Sequence, residues 1–190
     1  MRGRFSMDTA ITFRPLARAD FPLLCRWLNA PHVRAWWRGE ESTPETVERE
    51  YGPQLDGADP SRSFVFQLAE VPVGMIQCYR HRDSPEWDRT IGIPGAAGVD
   101  YLIGEADRCG HGIGTAAISA FTGVVFTLFP EVSVIVSVPQ RDNRASCRAL
   151  EKAGFTLSHE GMIDSADPSD SGVAAVYVLH RFERGGNHPG

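Results

Sequence analysis

Along this chain the hydrophobic positions switch between a period of two and a period near 3.6, and the switches mark its elements. Ile11-Thr12-Phe13-Arg14 alternates like a strand and stops at Pro15. Leu23, Leu24, Trp27 and Leu28 share one face of a helix that Asp20 caps and that ends near Leu28. A second, short helix is predicted from Pro31 or His32 to Trp37. Ser42-Thr43-Pro44-Glu45 reads as a capping box opening a third helix that reaches about Tyr51. Residues 52–62 form a polar loop, and strands follow at 63–69 and 73–79, joined by a tight turn around Val71-Pro72. Residues 82–96, with two prolines and several charges, read as a loop.

The second half alternates more regularly. A strand at 97–103 runs into the glycine-rich stretch Cys109-Gly110-His111-Gly112-Ile113-Gly114-Thr115, and a long apolar helix follows at 115–129. Then come a strand at 132–138 and the turn Arg141-Asp142-Asn143-Arg144-Ala145-Ser146. The helix after that turn ends Leu150-Glu151-Lys152-Ala153-Gly154-Phe155, with Gly154 as its left-handed cap. A strand to about residue 163, an acidic loop at 164–171 and a last strand at 174–180 complete the pattern, and 181–190 reads as a frayed tail. With no internal repeat and no linker, residues 1–190 read as one domain with a core at about 11–182. The element order predicts an α+β fold: a mixed, mostly antiparallel central sheet flanked by helices, with one β-α-β crossover at the glycine loop.

A glycine-rich turn between a strand and a helix N-terminus points backbone N–H groups and the positive end of a helix dipole at one place, which suits phosphate oxygens. Two familiar phosphate motifs do not fit: no lysine follows Gly114, and no third glycine stands three residues after it or after Gly112. The loop, the helix, the following strand, the Asn-containing turn and the Glu-Lys-Ala-Gly-Phe helix end together resemble the GNAT superfamily of N-acetyltransferases, over about residues 11–182. The resemblance implies a three-layer fold and acetyl-CoA as cofactor. Its pyrophosphate would lie on Arg108, Cys109, Gly110, His111, Gly112, Ile113, Gly114 and Thr115, and its pantetheine arm beside Asn143 and Ser146. It also places the reacting thioester along Tyr101, Leu102 and Ile103, with the backbone N–H of Leu102 or a neighbour holding the oxyanion.

The N-terminal third is similar to aminoglycoside 6′-N-acetyltransferases. Arg26-Trp27-Leu28-Asn29-Ala30-Pro31-His32-Val33, Trp36-Trp37 and Glu40-Glu41 carry that likeness, as do Gln77, Gly98-Val99-Asp100 and Ala174-Ala175-Val176-Tyr177. It implies a cationic small-molecule amine as acceptor and Asp100 as the catalytic base, because an ammonium must lose a proton before its nitrogen attacks a carbonyl. Trp36, Trp37, Gln77, Trp87, Asp83 and Asp170 are the expected substrate contacts, Asp83 lying with Glu86 and Asp88 around Trp87, and Asp170 with Asp164 and Asp167 in the later loop. Three positions depart from the family's pattern: Leu150 stands where a tyrosine usually protonates the leaving thiolate, Val138 where an aspartate precedes the proline, and Cys109 where a Gln or Arg is usual.

Composition narrows the alternatives. A net charge of −5 argues against nucleic acid, and the four cysteines lack C-x-x-C spacing, which suits reduced thiols in a cytoplasmic protein. The start shows no signal peptide, the longest apolar run is too short to cross a membrane, and the six histidines form no metal-binding pattern. A monomer or homodimer is expected. Two other readings share the fold: an acyltransferase for a siderophore-type lysine amine, with His81 in the site, or for a protein N-terminus. A third is a non-catalytic acyl-CoA sensor.

Overall fold

Adjacent residues on a strand bury on opposite faces of the sheet, and that alternation builds the layers. The strands are β1 (Ile11–Pro15), β2 (Arg62–Leu68), β3 (Val71–Arg80), β4 (Ala96–Ile103), β5 (Val134–Ser137), β6 (Thr156–Ile163) and β7 (Gly172–His180). The helices are α1 (Phe21–Leu28), α2 (Pro31–Arg34), α3 (Pro44–Leu55), α4 (Pro85–Ile91), α5 (Ile113–Leu128) and α6 (Arg144–Lys152). In this computed structural model, which describes residues 10–165 and 167–181, the strands form one sheet in the order β1-β2-β3-β4-β5-β7-β6. Every neighbouring pair is antiparallel except β4 and β5, so the mixed sheet with one parallel crossover is the fold that forms.

Val65, Met75 and Leu102 face α1, α2 and α3 and meet Leu24, Trp27, Val33, Val47 and Tyr51. Phe66 and Ile76, one residue further along, and Val99, three residues before Leu102, face the other way and pack on Ile118, Phe121 and Val125 of α5 and Leu150 of α6. A third cluster joins α4 to the far strands through Ile91, Val134, Val136, Ile163 and Val176. Val134 and Val136 flank Ile135, which belongs to the α5 side, so α4 lies on the same face as α1–α3.

The structure departs from the expected elements in several places. α3 runs past Gly52 and Pro53 to Leu55, its inner face anchored by fully buried Val47 and Tyr51, so packing overrides two helix-breaking residues. Its capping box forms between Thr43 and Thr46 rather than Glu45. The β2–β3 turn sits at Ala69-Glu70, both left-handed (φ 50° and 65°), and Pro72 lies in β3 beside a bulge at Val73, where its missing N–H is tolerated. The loop expected at 82–96 contains α4, opened by Pro85 and closed by left-handed Gly92. Asp20 stands at the start of α1 yet turns its carboxylate back to Arg14 (2.7 Å) and the Ala17 N–H instead of capping the helix. Of the expected tail, Arg181 is fixed: its guanidinium donates to the Val132, Phe126 and Phe129 carbonyls; residues 182–190 lie outside the described residues.

His81, directly after β3, is buried completely, stacked on Tyr79 and edge-on to Trp87. Among the described residues neither of its ring nitrogens has a partner, nor does the Trp87 indole N–H. Burial pushes its pKa down to about 4, so it is neutral in the fold and takes up a proton on unfolding at any pH between there and the ordinary histidine value. Stability linked to this residue is therefore whole above about pH 6.5 and drains away as the pH falls towards 4. Denaturant titrations at pH 7 and pH 4.5 are expected to show the wild type losing about 2–3 kcal/mol more than His81→Phe over that interval.

Candidate active site

The site begins where two strands separate. β4 and β5 pair only from Ala96–Val134 to Gly98–Val136, although β4 runs on to Ile103. Beyond Ser137 the chain stays with β7 instead: Ala175 N–H donates to Pro139 O (2.9 Å), and Gln140 bridges Ala174. β4 meanwhile keeps its antiparallel ladder with β3 out to Gly74–Ile103. A wedge opens between the two, walled by Asp100 and Tyr101 on one side and Ser137, Val138, Pro139 and Gln140 on the other.

Ladder alternation decides which backbone groups face the wedge. Gly104 N–H donates to Val73 O directly opposite, so Leu102 and Asp100, at the same phase, spend their N–H groups on β3. Tyr101 and Ile103 turn theirs to the open side, and the Ile103 carbonyl reaches the His32 ring there at 2.9 Å. An oxyanion on this edge thus meets the N–H of Tyr101 or Ile103, not that of Leu102, whose side chain is buried against α1–α3.

Asp100 faces the α1–α3 layer. Gln77 on β3 lies directly opposite and donates its amide N–H to the Asp100 carboxylate at 3.1 Å. The Tyr79 ring lies over Gly98, where a Cβ would come within 2.4 Å of it; only glycine lets that ring pack beside Asp100. Burial raises the Asp100 pKa, against the Gln77 bond that favours the ionised form. Glu50 from α3 and Asp167 and Asp170 from the β6–β7 loop line the same cavity as Asp100. Glu50 is raised by burial and by Asp167. Asp170 is raised to about 7, by burial first and then by the charges of Asp100 and Asp167. Trp36 and Trp37 wall the same cavity, just past α2, which ends at Arg34 rather than Trp37. A second lobe continues from Asp100, Gln77 and Asp170 past Tyr79, Trp87, Glu86 and Asp164. Four mutually repelling carboxylates around an open space form a site for a polycation.

The glycine loop forms a separate surface. Gly110 and Gly112 are left-handed (φ 78° and 80°), and among the described residues, their chain neighbours aside, no atom lies within 4 Å of a Cβ built on either. The turn therefore requires glycine for its backbone, while the space a side chain would fill stays clear above the helix end. The first intrahelical bond of α5 is Ala116 N–H to Gly112 O, so the N–H groups of Ile113, Gly114 and Thr115 precede it and point out of the helix. Arg108 and His111 line a groove beside this turn, and Cys109 is exposed on it. Asn143 caps α6, its side chain accepting from the Ser146 N–H, and both residues line the wedge. The residues present suit a pyrophosphate at the helix end and an extended thiol arm in the wedge, and such a group would supply the acyl thioester.

Trp36, Trp37, Gln77, Asp100, Trp87 and Asp170 thus come together around one space. Asp83 does not: it pairs with Arg80 (2.7 Å), itself tied to Glu131, and lines neither lobe. Glu50 was not anticipated, because on a helix full of glutamates it reads as solvated; its place next to buried Tyr51 was the available signal. Among the described residues no group of His, Cys, Asp and Glu suits a metal, and no helix is long and apolar enough to cross a membrane.

A strand-splayed sheet with a helix-end anion site beside it defines a class, and the chain belongs to it: the acetyltransferase (GNAT) domain family, whose model matches residues 17–163. Among relatives, the aminoglycoside N(6')-acetyltransferase type 1 of Klebsiella pneumoniae is 31% identical over 180 residues, 93% of this chain and 87% of that protein. A kanamycin resistance protein of Rhizobium radiobacter is 33% identical over 91 residues, 48% of this chain and 80% of its own. The fold superimposes on AAC(6')-Ib in complex with paromomycin and acetyl-CoA with a TM-score of 0.78 at 30% identity, covering 90% of this chain and 94% of the other. The complex of AAC(6')-Ib with ribostamycin and coenzyme A gives 0.77 at 30% identity over 90% and 94%.

The raised Asp170 carboxyl carries a stability signature. Its folded pKa lies above the unfolded one, so its penalty is absent below about pH 4, grows as the pH rises and is complete above about 7. Asp170→Asn is expected to stabilise the free protein by about 1–3 kcal/mol at pH 8 and by nothing measurable at pH 4, read by thermal melts at both. Gly112→Ala forces a Cβ into a left-handed residue and into the clear space, and calorimetric titration should show coenzyme A binding at least about tenfold weaker. Unchanged affinity would reduce the loop to a turn.

Proposed function

We propose that this chain transfers the acetyl group of acetyl-CoA to the 6'-amine of an aminoglycoside. The observation that carries this reading is the Asp100 carboxylate set among Glu50, Asp167 and Asp170 in a tryptophan-walled cavity that opens onto the wedge between β4 and β5. A polyamine sugar brings several ammonium groups, and Asp100 and Asp170 on meeting them regain the charge that burial disfavours. The relatives whose names and complexes report aminoglycosides support the same acceptor.

In this scheme Glu50, Asp167 and Asp170 hold the sugar's ammonium groups, and Asp100 takes a proton from the one to be acetylated. A carboxylate raised by burial is a better base near neutral pH than a solvated one. The freed amine attacks the thioester carbonyl, and the N–H of Tyr101 or Ile103 receives the negative charge that develops on its oxygen. Much of the acceleration comes from alignment, since a primary amine is already a good nucleophile. The lysine-acylating alternative relied on His81, which is fully buried with its ring between Tyr79 and Trp87 and so is poorly placed to serve as a base. A cytoplasmic location and the lack of a nucleic-acid partner belong to the same reading, supported by the net charge of −5 and four free cysteines.

Thiol release from acetyl-CoA tests it, with kanamycin, tobramycin, a 6'-hydroxyl aminoglycoside, lysine derivatives and a ribosomal N-terminal peptide as acceptors. Turnover is expected with the 6'-amino sugars and not with the 6'-hydroxyl one, and Asp100→Ala should lower kcat by about 10²–10⁴-fold. Acetylation of lysine or peptide alone would replace the acceptor, and no turnover with retained binding would favour an acyl-CoA sensor.

A further inference from the structure

Acyl transfer from a thioester expels a thiolate, and some group in the wedge has to hand that sulfur a proton. The acidic residues of the cavity are committed to the other reactant, where their charge holds cations. On the α6 side, the position expected to carry a phenol is Leu150, fully buried in the core between the sheet, α5 and α6. The chain has placed a phenol close by on a different element. Tyr101 rises from β4 on the face opposite Asp100 and packs against the same core cluster as Leu150. Its hydroxyl meets Ser146 Oγ at 2.5 Å, one helical turn before Leu150, and both residues line the wedge together with Asn143.

We infer that Tyr101 is the general acid of this enzyme, aimed by Ser146 and standing in for the tyrosine that α6 lacks. The inference rests on the acetyl-transfer reading above. The carbon–sulfur bond breaks as the carbon–nitrogen bond is completed; the electron pair leaves with sulfur, and the Tyr101 O–H delivers its proton to that sulfur. The nitrogen sheds its second proton to water as the amide forms, the phenolate regains a proton from that water, and Asp100 returns the first proton to solvent. Burial raises the Tyr101 pKa, which keeps the phenol protonated at neutral pH and ready to donate. Adjacent residues on one strand thereby serve the two reactants from opposite faces, Asp100 the amine and Tyr101 the thiol.

The test compares binding of coenzyme A and desulfo-coenzyme A, with no acceptor and no turnover, so a wrong acceptor class leaves it readable. Wild type is expected to prefer coenzyme A about fivefold, the worth of one hydrogen bond to sulfur, and Tyr101→Phe to bind both alike. With the acceptor that wild type uses, kcat of Tyr101→Phe should fall about 10²-fold with little change in acceptor KM. Ser146→Ala removes the partner that aims the phenol and should at least halve the preference, which serves where Tyr101→Phe does not fold. A preference for coenzyme A that persists in Tyr101→Phe or stays undiminished in Ser146→Ala, or kcat of Tyr101→Phe within about twofold of wild type, overturns the assignment.

Discussion

The structure turns on the parting of β4 from β5. Each strand keeps the antiparallel partner it pairs with best, β4 with β3 and the segment after β5 with β7, and the parallel ladder between them stops at Gly98–Val136. Pro139 stands where the departing strand would continue, and with no N–H it has nothing to offer a ladder beyond its carbonyl, which goes to Ala175. The unpaired edge of β4 is therefore a row of backbone groups in a protected cleft, which is rarely left without a use.

That edge sorts the chemistry by strand alternation. Asp100 and Leu102 look towards α1–α3, and Tyr101 and Ile103 towards α5 and α6, so one strand presents a carboxylate to one side and a hydroxyl to the other. The acceptor cavity on the Asp100 side is built at some loss of stability: Glu50, Asp100 and Asp170 are all raised by burial, and each also by a neighbouring carboxylate. A bound polycation would relieve that repulsion. Strain of this kind, kept where it selects a ligand, is the usual trade between stability and function.

Much of this was legible in residue order. The glycine loop, the Asn143 turn and the Glu-Lys-Ala-Gly-Phe helix end are local signals, each resting on backbone conformation within a few residues, and they located the crossover and the phosphate-suited helix end. Asp100 and Gln77, expected to belong to one site, sit directly opposite each other in the β3–β4 register. The acidic charges were harder to read. Asp83 and Asp170 look alike in sequence, yet Arg80 claims the first at 2.7 Å while the second faces Asp100 across the cavity. α4 was missed because Pro85 and a run of charges mimic a loop, and its apolar side became clear only where Ile91 and Trp87 pack on Val134 and Val176.

By itself, then, the sequence determined the order of the strands and of the helices other than α4, the family and the strand that carries the chemistry, because turn glycines, caps and alternation act over a handful of residues. Only the tertiary structure decided that Glu50 faces Asp100 from α3, that His81 is sealed in the core, and that Tyr101 rather than a helix residue puts a phenol in the wedge. These depend on side chains distant in sequence meeting across the sheet, and no local pattern encodes which partners those will be.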